Sequence, residues 1–341
     1  MLSRSNLWIV SCVAVSPLLV ACADVGGASG DDGNVEVASA VRGQCAIMAP
    51  GTSPTIVPNG AGSPWIVSYQ ASSGTLNEYD SISNDTGLGM FPGTSPASAA
   101  TSRAPSIFLQ STAFQANTTV LYVGGSSTGL GMFPGTNPAI AAIPTPVNTP
   151  PRFITAFQAN TTELFVDGAN LRYGMDSRTS PSIAGLPGGY EVAFQANTHE
   201  LFLVGTAENR NTGLGMMPGT NPSIASAPDG TYAYAFQANT GELFVNGVNT
   251  RFGMAAGTSP SIAALGGGNY EVVFQANTGT LFAVGTIVSI NTGLGMDPRS
   301  SPSITALGTG GFEAAMQANT HQLYVWGSGT QYAGVPVCDR F

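Results

Sequence analysis

Seven copies of one short segment, set 37 to 45 residues apart, run through most of this chain. The clearest copy is Phe194-Gln195-Ala196-Asn197-Thr198. Others start at Phe114, Phe157, Phe236 and Phe274, one with methionine first starts at Met316, and a worn copy reads Tyr69-Gln70-Ala71-Ser72-Ser73. A second landmark, Met-x-x-Gly-Thr-Ser/Asn-Pro or a close variant, starts at Met48, Met90, Met132, Met175, Met216, Met254 and Met296. Two landmarks with the same count restrict the chain to an array of similar supersecondary units, which bury their apolar faces by stacking on one another.

The unit around Phe236 shows how each is built. Pro222-Ser223-Ile224-Ala225-Ser226 is short and small, as a crowded inner strand requires, and Asp229-Gly230 is hairpin-turn chemistry. Tyr232, Tyr234 and Phe236 then alternate with Ala233, Ala235 and Gln237, the period of a central second strand. Glu242 to Asn246 follows as the third strand and Arg251 to Met254 as the outermost. Four antiparallel strands in about 40 residues make one propeller blade. A helical solenoid would need a period of 3.6, and 44 glycines with 23 prolines argue against it; a parallel β-helix would need shorter coils. The expected fold is all-β, a seven-bladed β-propeller of four-stranded antiparallel blades.

Such a ring needs a seam. The first unit starts inside the repeat, at Cys45-Ala46-Ile47-Met48, and the C-terminus runs from Gln331 to Cys338, so both ends read as fourth-strand material. The two ends are expected to close the ring on one composite blade, with Cys45 bonded to Cys338. Cross-linking so long a loop contributes about 5 kcal/mol in the chain-entropy description.

Before the repeats, Leu7 to Val20 is an apolar run too short for a comfortable membrane span and reads as an export signal. Leu19-Val20-Ala21-Cys22 resembles a bacterial lipobox, which implies lipidation at Cys22; cleavage after Ala21-Cys22-Ala23 fits the small-x-small pattern as well. Residues 1–22 are thus read as the signal, 23–40 as a flexible linker and 41–341 as the propeller, in a protein either lipid-anchored at the cell envelope or secreted. Export also favours the disulfide.

Catalysis is not expected. All ten basic residues are arginines scattered from Arg4 to Arg340, which gives no stripe for nucleic acid. The two histidines, His199 and His321, are turn residues in equivalent units and stand apart on the ring, so no metal site or cofactor is expected. The Gly-Leu-Gly-Met pieces precede a turn and a strand, never a helix, and cradle no phosphate. Glu191 and Glu200 could be considered for glycoside hydrolysis, but acidic residues are sparse and irregular among the copies.

The series Ser180-Pro-Ser-Ile-Ala184, Tyr190-Glu-Val-Ala-Phe-Gln-Ala196 and Leu201-Phe-Leu-Val-Gly205 resembles the blades of bacterial seven-bladed propeller lectins of the Photorhabdus type, and more distantly the tectonin and tachylectin propellers. The resemblance spans about residues 45 to 338 and implies a non-catalytic, multivalent carbohydrate-binding protein with glycans or cell-surface polysaccharide as partners. An envelope protein-interaction or scaffold module is the alternative. A sugar needs an aromatic face and planar polar groups. The third strands supply Tyr122, Phe165, Phe202, Phe244, Phe282 and Tyr324, which serve equally as packing between blades. One glutamine per blade, Gln195 and Gln237 among them, reads either as a fixed bond to the neighbouring blade or as a ligand contact. Arg172-Tyr173 and Arg251-Phe252 break the pattern where other units have Gly-Leu-Gly-Met, and Trp326 lies beside the seam.

Overall fold

The computed structural model describes residues 45–60, 64–104, 107–146, 149–308 and 310–338. The expected signal, Cys22 and the linker lie outside the described residues. Seven four-stranded antiparallel sheets are present, each built from consecutive strands. Blade 1 holds β1 Thr55–Pro58, β2 Trp65–Gln70, β3 Thr75–Tyr79 and β4 Ser83–Gly89; blade 2 holds β5 Ala97–Ala104, β6 Ile107–Gln115, β7 Val120–Val123 and β8 Ser126–Gly131. Blade 3 holds β9 Ala139–Ile143, β10 Arg152–Gln158, β11 Glu163–Val166 and β12 Ala169–Gly174; blade 4 holds β13 Ser182–Leu186, β14 Gly189–Gln195, β15 Glu200–Gly205 and β16 Asn209–Gly215. Blade 5 holds β17 Ser223–Ser226, β18 Tyr232–Gln237, β19 Glu242–Val245 and β20 Val248–Gly253; blade 6 holds β21 Ser261–Gly266, β22 Asn269–Gln275, β23 Thr280–Gly285 and β24 Ser289–Gly295. Blade 7 holds β25 Ser303–Ala306, β26 Phe312–Gln317, β27 Leu323–Gly327 and β28 Val335–Pro336. The expected seven-bladed propeller is the observed fold. Outer strands start earlier than sequence alone indicates, at Val248 rather than Arg251 in blade 5, because a bulge opposite Glu242 and Phe244 absorbs residues that do not alternate.

The second landmark is a joint between blades. In each copy the Thr or Ser hydroxyl returns to the carbonyl three residues back, as Thr94 does to Phe91 at 2.7 Å. The same carbonyl accepts the amide N–H of the preceding blade's repeat glutamine, Gln70 Nε2 at 3.0 Å. The Ser or Asn that follows enters a closed cycle. The Ser53 N–H donates to Ser95 Oγ, Ser95 to Asn137 Oδ1, Asn137 to Ser180, Ser180 to Asn221, Asn221 to Ser259, Ser259 to Ser301, and Ser301 back to Ser53, all at 2.7 to 2.9 Å.

One layer along, a second set runs the other way, with N–H groups donating to the inner-strand hydroxyl of the preceding blade. Ser98 donates to Thr55, Ile224 to Ser182, Ile262 to Ser223, Ile304 to Ser261 and Ile56 to Ser303. Ala97 and Ala139 stand at the remaining two places.

Between blades the landmark methionine, buried in every copy, bridges the alanine of the next blade's Phe-Gln-Ala-Asn segment. The asparagine of that segment lies against the glycine before the methionine; a Cβ on Gly89, Gly131, Gly174, Gly215, Gly253 or Gly295 would come within 2.6 to 3.1 Å of its side chain. At the seam Ser72 replaces the asparagine, and Ile47 takes the glycine's place.

The seam is composite, as expected. Cys45 to Met48 pairs with residues 321–323 while Val335–Pro336 pairs with Tyr324 and Val325, so the first and last described segments together complete the outer edge of blade 7. Cys45 and Cys338 form a disulfide that encloses a sequence separation of 293. Replacing both cysteines with alanine is expected to lower the unfolding free energy by about 2–5 kcal/mol, read as a drop in denaturation midpoint. An unchanged midpoint would show that strand pairing alone holds the seam.

Candidate ligand-binding grooves

The six third-strand aromatics sit between blades. Phe114 faces Tyr122 at 5.3 Å across the strand pair, and Phe157–Phe165, Phe194–Phe202, Phe236–Phe244 and Phe274–Phe282 repeat this at 5.3 to 5.5 Å. Onto each pair the preceding blade lays one outer-strand side chain: Leu88, Leu130, Tyr173, Leu214 or Phe252, with Leu294 against Met316 and Tyr324 in blade 7. The inner aromatic is fully buried and the outer one half-buried, so Tyr122, Phe165, Phe202, Phe244, Phe282 and Tyr324 pack between blades while leaving part of each ring at the surface of the cleft between them. Blade 1 lacks this wall because Asn77 stands opposite Tyr69.

Gln195 and Gln237 face the neighbouring blade. Both are fully buried, and their Nε2 groups donate to the carbonyls of Met217 and Ala255 at 3.0 and 3.1 Å. The glutamine is therefore the blade-to-blade fastener. His199 is an exposed turn residue and His321 a half-buried one, each with a carboxylate beside it: Nδ1 of His199 lies 3.2 Å from Asp176 and that of His321 3.1 Å from Asp297. Glu191 and Glu200 do not converge, since Glu191 pairs with one end of β15, at Gly205, and Glu200 begins the other.

Two grooves carry an unusual rim. Arg172 and Arg251 have left-handed backbones, with φ of 60° and 65°, at the bulge position that Gly87, Gly129, Gly213 and Gly293 occupy in other blades. An asparagine two residues back accepts each N–H at 2.7 Å, Asn170 for Arg172 and Asn249 for Arg251. Glu163 and Glu242 hold those asparagines in turn. A left-handed residue other than glycine costs about 1–2 kcal/mol, so both arginines are kept against a local preference. Both are exposed, and among the described residues neither guanidinium has a carboxylate within ion-pair distance. Tyr173, beside Arg172, meets Phe202 at 6.3 Å; Phe252, beside Arg251, meets Phe282 at 5.0 Å.

The groove between blades 6 and 7 departs from the repeat most. Gln331 and Tyr332 are consecutive left-handed residues, with φ of 53° and 59°. Buried Glu313 holds their loop by accepting the Gly329 N–H at 2.8 Å and the Thr330 hydroxyl at 2.9 Å, and the Trp326 indole N–H donates to the Tyr332 carbonyl at 2.9 Å. Trp326 is only 3% exposed and backs the Tyr332 ring at 5.4 Å; Tyr332 itself is 42% exposed. Together with Val288, Ser289, Ile290 and Thr292 they line a hollow of about 430 Å³. Its size suits a small ligand. Sequence reading reached Trp326 but not Tyr332, whose role depends on a turn found in one copy only.

Glu191, Glu271 and Glu313 share one second-strand position and accept main-chain N–H groups from the outer loop of their own blade. Burial pushes all three carboxyls up, that of Glu271 to about 7, against the opposing pull of those N–H groups. A carboxyl that holds its proton more tightly when folded contributes stability that is full below its unfolded value, about 4.5, and is lost as pH rises through the folded one. The melting temperature is therefore expected to fall between pH 5 and pH 8, and Glu271→Gln should flatten that fall in pH-resolved melts.

No protein-family profile matches the chain. No curated protein matches it either. Its fold matches solved lectins. A mutant of the Aleuria aurantia lectin in complex with Fucα1-6GlcNAc superposes with a TM-score of 0.55 at 13% identity, covering 87% of this chain and 99% of that one. Another structure of the Aleuria aurantia lectin, described as a six-bladed β-propeller with a novel fucose recognition mode, gives 0.50 at 14% identity over 84% of this chain and 96% of its own. The SapL1 lectin in complex with α-methyl fucoside gives 0.51 at 10% identity over 86% and 97%. At these identities the likeness establishes the propeller architecture, which here closes with seven blades.

Proposed function

We propose that this protein is a non-catalytic, multivalent carbohydrate-binding propeller whose sites are the grooves between blades. One observation carries the reading: Arg172, Arg251 and Tyr332 are held in left-handed conformations beside inter-blade aromatics, the two arginines at a position that is glycine in blades 1, 2, 4 and 6 and Tyr332 in a turn found in blade 7 alone among the described residues. A guanidinium donates to planar sets of hydroxyls, and an aromatic face meets the C–H surface of a sugar ring. The lectin neighbours and the likeness of the repeat to Photorhabdus-type lectins support the same assignment. Several weak sites on one rigid disc would act through avidity, as suits a protein exported to the cell envelope or medium.

Glycan-array binding followed by calorimetry tests this. Arg172→Gly and Arg251→Gly are each expected to weaken binding roughly tenfold at their own groove while raising stability by about 1 kcal/mol. Loss of affinity without that gain would point to disturbed structure instead. Should no glycan bind, the proposal is wrong.

A second reading, a protein-interaction module of the envelope, draws on the exposed Ile47, Ile290, Tyr332 and Val335 on the outer strands and loop of blades 6 and 7. It requires one partner per disc, where the carbohydrate reading requires several ligands, so stoichiometry separates the two.

A further inference from the structure

The side chains of the closed cycle and the five inner-strand hydroxyls all line one central channel of about 230 Å³. Their hydrogen-bond state is one-sided. Each oxygen accepts a main-chain N–H from an adjacent blade. Among the described residues, none of the hydroxyl hydrogens and neither amide NH2 of Asn137 and Asn221 is donated to a protein acceptor. A hydroxyl brings one donor and an amide two, so the channel wall is rich in unspent donors. No carboxylate is among the described residues that line it. Ser95 and Ser180, at 8% and 5% exposure, are buried everywhere except toward this space.

The nearest charges along the chain are basic. Arg178 and Arg299 stand two residues before ring members Ser180 and Ser301, in loops where the other five copies have glycine. Both are exposed, and Arg178 is left-handed with φ of 67°. The carboxylates of the same two loops, Asp176 and Asp297, are turned onto His199 and His321.

We propose that the central channel binds a tetrahedral oxyanion, a phosphate or sulfate group, with the donor ring as its cradle and Arg178 and Arg299 as its cationic rim. An anion uses donors alone, and this wall has committed an acceptor site of every side-chain oxygen to the backbone. The site is separate from the grooves and does not rest on carbohydrate binding there.

The test is calorimetry and thermal melting of the full chain with sodium phosphate, ionic strength held constant with sodium chloride. Arg178→Gly/Arg299→Gly restores the residue of the other copies, so folding is secure. Ser223→Ala/Ser261→Ala introduces the residue found at positions 97 and 139. We expect one phosphate per chain, a higher melting temperature with phosphate than with chloride, and binding weakened roughly tenfold by each double variant. The absence of saturable binding would overturn the proposal, as would a phosphate affinity that neither variant changes. Glucose 6-phosphate measured against glucose and free phosphate identifies the source: tighter binding than free phosphate points to a charged group on a saccharide, and equal binding to the free ion.

Discussion

The architecture depends on a hydrogen-bonded cycle that never leaves the main chain for more than one side chain at a time. Each inter-blade loop must turn from the outer strand of one blade to the inner strand of the next, and its buried N–H groups have no ladder partner at that point. The side chain at the corresponding place one blade onward satisfies one of them. Because Ser301 donates to Ser53 as Ser53 donates to Ser95, the arrangement fits a ring that has closed. An open row of the same blades would leave one N–H and one acceptor unmatched. Ring closure is thus written into the polar chemistry at the axis as well as into the clasp at the seam.

Around that axis, tolerance grows with radius. Near the channel the Thr turn, the Ser or Asn ring and the proline recur in nearly every copy. At mid-radius the aromatic pair varies between Phe, Tyr and Met. On the outer strand the sequence diverges into Gly-Leu-Gly, Arg-Tyr-Gly and Arg-Phe-Gly, and at the seam into two separate chain segments. The candidate grooves sit at this outer radius, where side chains can change without touching the cycle. Side-chain variation at the grooves and ring closure at the axis are therefore physically uncoupled.

That gradient explains what the sequence disclosed. The blade count, the strand order and the Cys45–Cys338 clasp were legible because they rest on repetition, alternation and the position of two cysteines. The glutamine was legible as a fastener because every blade needs the same bond. The hydrogen-bonded ring was hidden although its residues were in plain view, since each partner lies about one repeat away and a Ser-Pro pair reads locally as a turn. Tyr332 was hidden for the opposite reason. It has no counterpart in other copies, and its pose depends on Glu313, nineteen residues earlier, and on a left-handed pair that propensity disfavours. Arg172 and Arg251 stood out by breaking a pattern, while the strain that makes them notable required the backbone angles.

The clasp has a consequence for how the molecule comes apart. With Cys45 joined to Cys338, the propeller is covalently a circle, and the usual starting points for unravelling, two free ends, are fastened together at one place. Opening has to begin at an interior hairpin or between two blades, and every partly opened form keeps its blades in their original order around the loop. A local rupture therefore leaves both sides of the gap tethered within one covalent loop.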